Sequence, residues 1–144
     1  MFIRATCFCI KDCKVLVVKQ NFPDVDREWS LPGGKVEESE TLFEAVVRET
    51  KEETGVLVEP KKLLYITESI QKEKHILHIL IACDYIEGTT GVGLKLTKNE
   101  RIPIVKFIYI EELKKLGFAN KFINLIETNF PEPVYRGKKE NIGL

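Results

Sequence analysis

The chain has 144 residues, of which 44% are hydrophobic and 31% charged, and its formal net charge is +0. This length and composition predict one soluble domain, residues 1–144, with a hydrophobic core of its own. The balanced charge gives no argument for binding nucleic acid or a membrane surface, so neither is expected as a partner. The first residues, MFIRATCFCIKDCK, contain no long apolar run and predict neither a signal peptide nor a membrane span.

The four cysteines do not form a convincing disulfide framework, which favours reduced thiols and a cytoplasmic location. A thiolate metal site at Cys7, Cys9 and Cys13 is one interpretation of their C-x-C-x3-C spacing. Buried thiols that act as small apolar groups are the favoured interpretation, because free cysteine is among the most buried residue types.

The alternation of apolar and polar residues predicts strands along most of the chain, with helices between and after them. His75 and His78 fall on opposite faces of one predicted strand, which excludes a paired metal site between them. The segment after residue 132 shows no periodicity and is predicted to be a loosely held end. The predicted strands are 2–10, 14–19, 62–69, 75–85 and 104–110, a polar loop covers 21–28, a glycine-containing connection covers 87–101, a helix starts over 111–116, and the last amphipathic helix covers 120–129.

The stretch from 33 to 56, GGKVEESETLFEAVVRETKEETGV, predicts a helix that gathers negative charge. Glu49, Glu52 and Glu53 are spaced i, i+3, i+4, so they fall within an arc of roughly 100°. Like charges at this spacing repel one another, and a divalent cation would reverse that effect. Clustered hard oxygen ligands suit Mg²⁺ or Mn²⁺. Arg48 lies four residues before Glu52, so it could hold a carboxylate in place.

This stretch resembles the Nudix box, G-x5-E-x7-R-E-U-x-E-E-x-G-U, in which U is a bulky apolar residue. Every fixed residue of the pattern is present. Thr50 departs from the first U position but keeps β-branched bulk, which we interpret as a packing variation. On these residues the chain is identified as a member of the Nudix (MutT-like) hydrolase family. The matching positions are Gly34, Glu40, Arg48, Glu49, Thr50, Glu52, Glu53, Gly55 and Val56.

The resemblance implies an α/β Nudix fold, with a mixed β-sheet sandwiched between α-helices. It also implies Mg²⁺-dependent hydrolysis of the diphosphate linkage in a nucleoside diphosphate joined to a further group X, by a monomer or homodimer, with Mn²⁺ as the alternative metal. The implied metal ligands are the carboxylates of Glu49, Glu52 and Glu53 together with the backbone carbonyl of Gly33.

The resemblance also implies catalytic roles. Arg48 would orient one glutamate by a charge-assisted hydrogen bond, and Glu49 and Glu52 are the catalytic glutamates of the helix. A general base would take the proton of the water that attacks the diphosphate. Members of the family differ in the position of the base, which leaves Glu49 on the helix and Glu100 on a later loop as candidates. Glu49 is favoured because a fixed helix holds it. Glu68 and Asp84 are weaker candidates.

The identity of X stays open at this stage. A proline about 15 residues downstream of the box goes with ADP-ribose preference in the family, and here that position is Gln71. The size of the chain favours the small members that remove nucleoside triphosphates. Trp29 is expected to pack on the core, with contact to a nucleobase as the alternative. A module that binds nucleotides without turnover is the competing function, and the intact glutamates argue against it.

Overall fold

The computed structural model describes residues 1–19, 28–92 and 104–144. Within these ranges two segments are 3₁₀-helical, Ile110–Leu116 and Lys139–Ile142. In chain order the elements are β1 (Phe2–Lys11), β2 (Lys14–Lys19), β3 (Trp29–Ser30), β4 (Gly33–Lys35), α1 (Leu42–Thr54), β5 (Leu57–Gln71), β6 (Lys74–Glu87), β7 (Ile104–Tyr109), α2 (Asn120–Glu127) and β8 (Tyr135–Lys138).

The strands form a mixed sheet in the order β3-β2-β1-β6-β5-β8, with β4 added on β1 and β7 on β2. β1 pairs in parallel with β6, from Phe2 opposite Ile76 to Cys9 opposite Cys83. On its other side β1 is shared, because β4 pairs with its first half and β2 with its end. β6, expected to be central because it is nearly all apolar, lies between β1 and β5.

Two hydrophobic clusters lie on opposite faces of the sheet, and successive residues of β1 alternate between them. Ala5 and Cys7 pack with Ala45 and Val46 of α1, whereas Phe8 packs against α2. Helical elements therefore cover both faces, which confirms the predicted sheet between helices. Within the three described ranges, no helix is both long and apolar enough to cross a membrane.

Three of the four cysteines behave as the favoured interpretation predicts. Cys7, Cys9 and Cys83 are buried as free thiols, and Cys13 is exposed in the β1–β2 turn. Burial raises the pKa of Cys9 to about 12. A hydrogen bond with Cys83, together with burial, raises the pKa of Cys7 as well. Cys7 and Cys9 are therefore protonated apolar groups at neutral pH rather than thiolate ligands.

Local signals fix both ends of α1. Thr41 caps the start, because its hydroxyl accepts from the Glu44 N–H at 3.1 Å while the Glu44 carboxylate accepts from the Thr41 N–H at 3.2 Å. Gly55 ends the helix with φ of 80°, and its N–H donates to the carbonyl of Lys51. A Cβ at this position would lie 2.2 Å from the carbonyl oxygen of Val92, so glycine is required for the approach of that segment as well.

The prediction of a loosely held C-terminal segment is wrong. β8 pairs in parallel with β5, and Ile142 is only 2% exposed. Backbone pairing and a buried side chain both contribute to this docking, and neither produces a periodic pattern in the sequence. The segment predicted to start a helix at 111–116 is 3₁₀-helical, and α2 ends at Glu127 rather than at 129.

Candidate active site

The candidate site lies where the glycine pair of β4 meets the side of α1. A Cβ built on Gly34 would lie 2.2 Å from Cδ of Glu49, so the Glu49 carboxylate packs directly against the backbone there. A Cβ on Gly33 would lie 2.4 Å from the carbonyl oxygen of Ala5. The N–H of Gly33 donates to Oε1 of Glu53 at 3.1 Å. Two of the three predicted metal-binding glutamates are therefore placed against the glycine pair, and only glycine allows that approach.

Arg48 is the centre of the charged cluster. Its Nε and Nη2 donate to the two carboxylate oxygens of Glu40 at 3.0 and 2.7 Å. Its Nη1 donates to Glu49 at 2.9 Å and to Glu52 at 3.3 Å, and Nη2 also donates to the carbonyl of Lys35 at 3.1 Å. The side chains of Arg48 and Glu49 are 25% and 17% exposed, so these ion pairs are partly shielded from solvent. Arg48 is thus positioned to orient two glutamates.

The partnership of Glu40 with Arg48 is a site feature that sequence reasoning missed. Glu40 matches the box, but it lies in the loop before α1, where helical spacing carries no information. The hydrogen bond from Arg48 lowers the pKa of Glu40 to about 2, and the N–H of Glu37 adds to this effect. In turn Glu40, followed by Glu49, raises the pKa of Arg48 despite its partial burial. The Arg48–Glu40 pair is therefore charged at neutral pH.

The donor set suits a divalent cation by its chemistry, since three carboxylates lie along one side of a single helix. In this structure two of these carboxylates form ion pairs with one guanidinium, because Nη1 of Arg48 contacts both Glu49 and Glu52. In the described part of the chain, no three His, Cys, Asp or Glu side chains converge as metal ligands. The residues fit a hard cation, and in this arrangement a guanidinium neutralises part of their charge.

Several other candidates have structural partners. His78 Nε2 lies 2.8 Å from the hydroxyl of Ser69, and His75 Nε2 lies 2.7 Å from Glu68, so the histidines occupy different faces as predicted. Asp84 lies 3.7 Å from Lys61. Among the candidate bases, Glu68 therefore has His75 as a hydrogen-bond partner, and Asp84 has Lys61 within ion-pair distance.

Two positions beside the box behave as packing residues. Thr50 is fully buried, and its hydroxyl has no hydrogen-bond partner within the described ranges, which supports a packing role for this departure from the box. Trp29 is partly buried and packs on the cluster beneath α2, as expected. Glu100 and most of the predicted polar loop at 21–28 lie outside the described residues.

Comparison with known proteins shows the family to which the chain belongs. The family model "NUDIX domain" matches residues 1–126. An ADP-ribose pyrophosphatase of Methanocaldococcus jannaschii is 36% identical over 115 residues, covering 78% of this chain and 64% of the relative. A putative 8-oxo-dGTP diphosphatase of Bacillus subtilis is 36% identical over 95 residues, covering 63% of this chain and 62% of the relative.

Among solved structures, a NUDIX hydrolase from Nitrosomonas europaea matches with a TM-score of 0.72 at 19% identity, covering 92% of this chain and 93% of that one. This likeness concerns the fold. The matched stretch spans less than two thirds of the length of either curated relative. With a family model that matches most of its length and the complete box in place, the chain belongs to the NUDIX domain family.

Proposed function

We propose that this chain hydrolyses the diphosphate linkage of a nucleoside diphosphate derivative with the help of Mg²⁺ or Mn²⁺. The proposed ligands are Glu49, Glu52, Glu53 and the backbone carbonyl of Gly33. The observation that carries the proposal is the Arg48-centred cluster beside the glycine pair. Carboxylates repel a pyrophosphate, so a site that holds several of them close together is suited to a cation that attracts the substrate.

The side chains of the cluster have separate tasks in this scheme. When bound, the cation neutralises phosphate oxygens and lowers the pKa of a water. Arg48 holds Glu49 and Glu52 in position through charge-assisted hydrogen bonds of 2.9 and 3.3 Å. Gly33 and Gly34 let the carboxylates of Glu53 and Glu49 lie directly against the β4 backbone. One carboxylate takes the proton of the attacking water, so turnover rises with pH as that carboxylate is deprotonated.

Glu49 is the proposed base, because it is held between Gly34 and Arg48. Glu49→Gln is expected to lower turnover roughly 10²–10⁴-fold, the usual contribution of general base catalysis. Glu100→Gln is expected to change turnover little. Both variants are measured at saturating Mg²⁺, so that a lost metal ligand is distinguished from a lost base. Recovery of Glu49→Gln at high Mg²⁺, with Glu100→Gln still inactive, would assign the base to the loop instead.

The first substrates to test are those named for the relatives, ADP-ribose and 8-oxo-dGTP. Gln71 stands where the ADP-ribose-preferring members carry proline, which favours a nucleoside triphosphate. The experiment is a screen of nucleotides with Mg²⁺ that detects released phosphate, pyrophosphate and nucleoside monophosphate. Cation-dependent release from at least one substrate supports the proposal. Tight nucleotide binding without product from any of them would instead identify a binding module.

A further inference from the structure

Two threonines on the buried side of α1 differ in the hydrogen bonds of their hydroxyl groups. Thr50 and Thr54 are both fully buried. The Thr54 hydroxyl donates to the carbonyl of Thr50 at 2.6 Å and accepts from the N–H of Val56 at 3.1 Å. The Thr50 hydroxyl has no hydrogen-bond partner within the described ranges. It therefore does not use the carbonyl of Val46, four residues earlier, which is the usual acceptor for a threonine inside a helix.

Packing explains only part of the choice of Thr50. The box has an apolar residue at this position, and valine would supply the same branched shape without a polar atom. A buried hydroxyl without a hydrogen bond lowers the stability of the fold, because its removal from water is not compensated. The branched shape therefore accounts for the packing, and the hydroxyl needs a separate explanation.

The Thr50 hydroxyl lies beside the thiol of Cys7 on β1, and so does the charge of Glu53. A hydrogen bond with Cys83 and then burial raise the pKa of Cys7; the Thr50 hydroxyl opposes this shift, and the Glu53 carboxylate adds to it. No hydrogen bond of ordinary geometry joins the Thr50 hydroxyl to this thiol. The hydroxyl and the carboxylate are therefore close to the same atom on the sheet.

This part of β1 is also in contact with the glycine pair. Cys7 follows Thr6, and Thr6 is paired with Gly33 of β4. The N–H of Gly33 in turn donates to Oε1 of Glu53 at 3.1 Å. Thr50, Cys7 and Gly33 therefore surround Glu53 where α1 meets β1 and β4.

Helix geometry places the Thr50 hydroxyl within reach of the Glu53 carboxylate. The two residues are three apart on α1, and residues at this spacing are neighbours on a helix surface. Rotation about χ1 moves the hydroxyl between staggered positions. A carboxylate has about four lone-pair sites, so it can accept from Gly33 and from Thr50 while it binds a cation.

We propose that Thr50 is a positioning residue for Glu53, and that its hydroxyl donates to the Glu53 carboxylate when this carboxylate binds a divalent cation. This inference rests on the proposed function and adds a residue that sets the affinity for the cation. The hydroxyl is unpaired in the cation-free protein and paired in the cation-bound one, so it shifts the equilibrium towards binding. Groups that orient a metal ligand typically contribute about 10–100-fold to metal affinity.

The test measures Mn²⁺ binding by the EPR signal of the free ion, and thermal unfolding without cation, both in the absence of nucleotide. Thr50→Val keeps the shape and removes the hydroxyl. It should raise the melting temperature of the cation-free protein by about 2–4 °C and weaken Mn²⁺ binding about tenfold or more. Thr54→Val is the matched control, because it removes a buried hydroxyl that is already paired. It should lower the melting temperature and leave Mn²⁺ affinity unchanged.

A third variant, Thr50→Ser, separates the hydroxyl from the rest of the side chain. It loses the methyl group and keeps the hydroxyl, so it should retain most of the Mn²⁺ affinity even if its melting temperature falls. With a substrate that the wild type hydrolyses, the Mg²⁺ concentration for half-maximal turnover should rise about tenfold in Thr50→Val. In Thr50→Ser it should stay near the wild-type value.

The outcomes distinguish this inference from the hydrolase function. Wild-type Mn²⁺ affinity in Thr50→Val, or equal losses in Thr50→Val and Thr54→Val, overturns the inference and leaves the function of an active enzyme standing. A lower melting temperature of cation-free Thr50→Val also overturns it, because the hydroxyl would then already be stabilising. Weaker binding in Thr50→Val alone, in a protein that hydrolyses no nucleotide, supports the inference and overturns the function. A wild type that binds no Mn²⁺ overturns both.

Discussion

Two arginines, Arg48 in α1 and Arg136 in β8, organise their surroundings by different means. Arg48 donates to the carboxylates of Glu40, Glu49 and Glu52. Arg136 donates to the carbonyl of Pro133 at 2.8 Å and to that of Pro131, and its guanidinium lies 4.7 Å from the ring centroid of Tyr65. The first arginine is surrounded by charge and the second by neutral groups.

The contrast separates a responsive region from a mechanical one. The ion pairs around Arg48 depend on pH. Their carboxylates could pair with a cation instead, and the guanidinium could pair with a phosphate. Arg136 contacts backbone carbonyls, which do not titrate, and the face of a ring. These contacts therefore do not depend on pH near neutrality, and they fix the chain on the sheet. Tyr65 adds to this anchoring, since its hydroxyl donates to the carbonyl of Pro131 at 2.7 Å. We therefore expect substitutions near Arg48 to change activity, and substitutions near Arg136 to change stability.

The largest expected effect is on turnover. Glu53→Gln should lower kcat by about two to four orders of magnitude, because a metal ligand contributes several kcal/mol to transition-state stabilisation. Glutamine keeps an oxygen that can accept from the Gly33 N–H, and the loss of one negative charge relieves repulsion on α1. The melting temperature without metal should therefore be unchanged or slightly higher. Glu44→Gln, in the capping box, is the control and should remain active; wild-type Mg²⁺ affinity and rate in Glu53→Gln would contradict the assignment.

The next effect is on stability in the C-terminal segment. Ile142→Ala should lower the free energy of unfolding by about 2–4 kcal/mol, the range for a buried large-to-small change. Val134→Ala, at a side chain that is 38% exposed, is the control and should cost less than about 0.5 kcal/mol. Urea denaturation measures both. Equal small effects would mean that the segment is loosely held after all.

A smaller loss is expected at Arg136 itself. Arg136→Gln removes hydrogen bonds from a charged donor and a contact with the ring of Tyr65, which should cost about 1–3 kcal/mol. Arg136→Lys should recover only part of this, because an ammonium lacks the planar fork. Turnover at saturating substrate should stay near that of the wild type in both variants. A drop in turnover with unchanged stability would remove the distinction between the two arginines.

The smallest effect is a pH dependence at Glu40. Its pKa in the folded chain is about 2 and therefore lies below the value near 4.5 that is usual for a glutamate. A group whose pKa is lowered on folding stabilises the fold above the unfolded value and loses that contribution as pH falls through the folded value. Wild-type stability should thus decrease between about pH 4.5 and pH 2. Glu40→Gln should show a shallower decrease in acid denaturation, and identical slopes would show that the pair contributes nothing.

Much of the candidate site could be predicted because it is local in sequence. Glu49, Glu52 and Glu53 share a helix, so spacing alone placed them together. Glu40 precedes the start of α1 and Arg48 lies within it, so their pairing depends on the backbone conformation around the N-cap, Thr41. The mixed sheet and its helical layers followed from the resemblance, whereas β8 was missed because a short strand paired through its backbone leaves no apolar pattern.

The parallel pairing of β1 with β6 also bears on how the chain folds. Phe2 meets Ile76, so β4, α1 and β5 all lie within the segment that this pairing closes. Closing so long a segment costs chain entropy before the new contacts compensate for it. We therefore expect slow folding, on the order of milliseconds to seconds. The glycine pair lies on β4, and β4 pairs with β1, the strand that also holds β6. The carboxylate cluster is therefore expected to form late, after the central pair, and the folding rate should respond more to changes in β1 and β6 than to changes in α1.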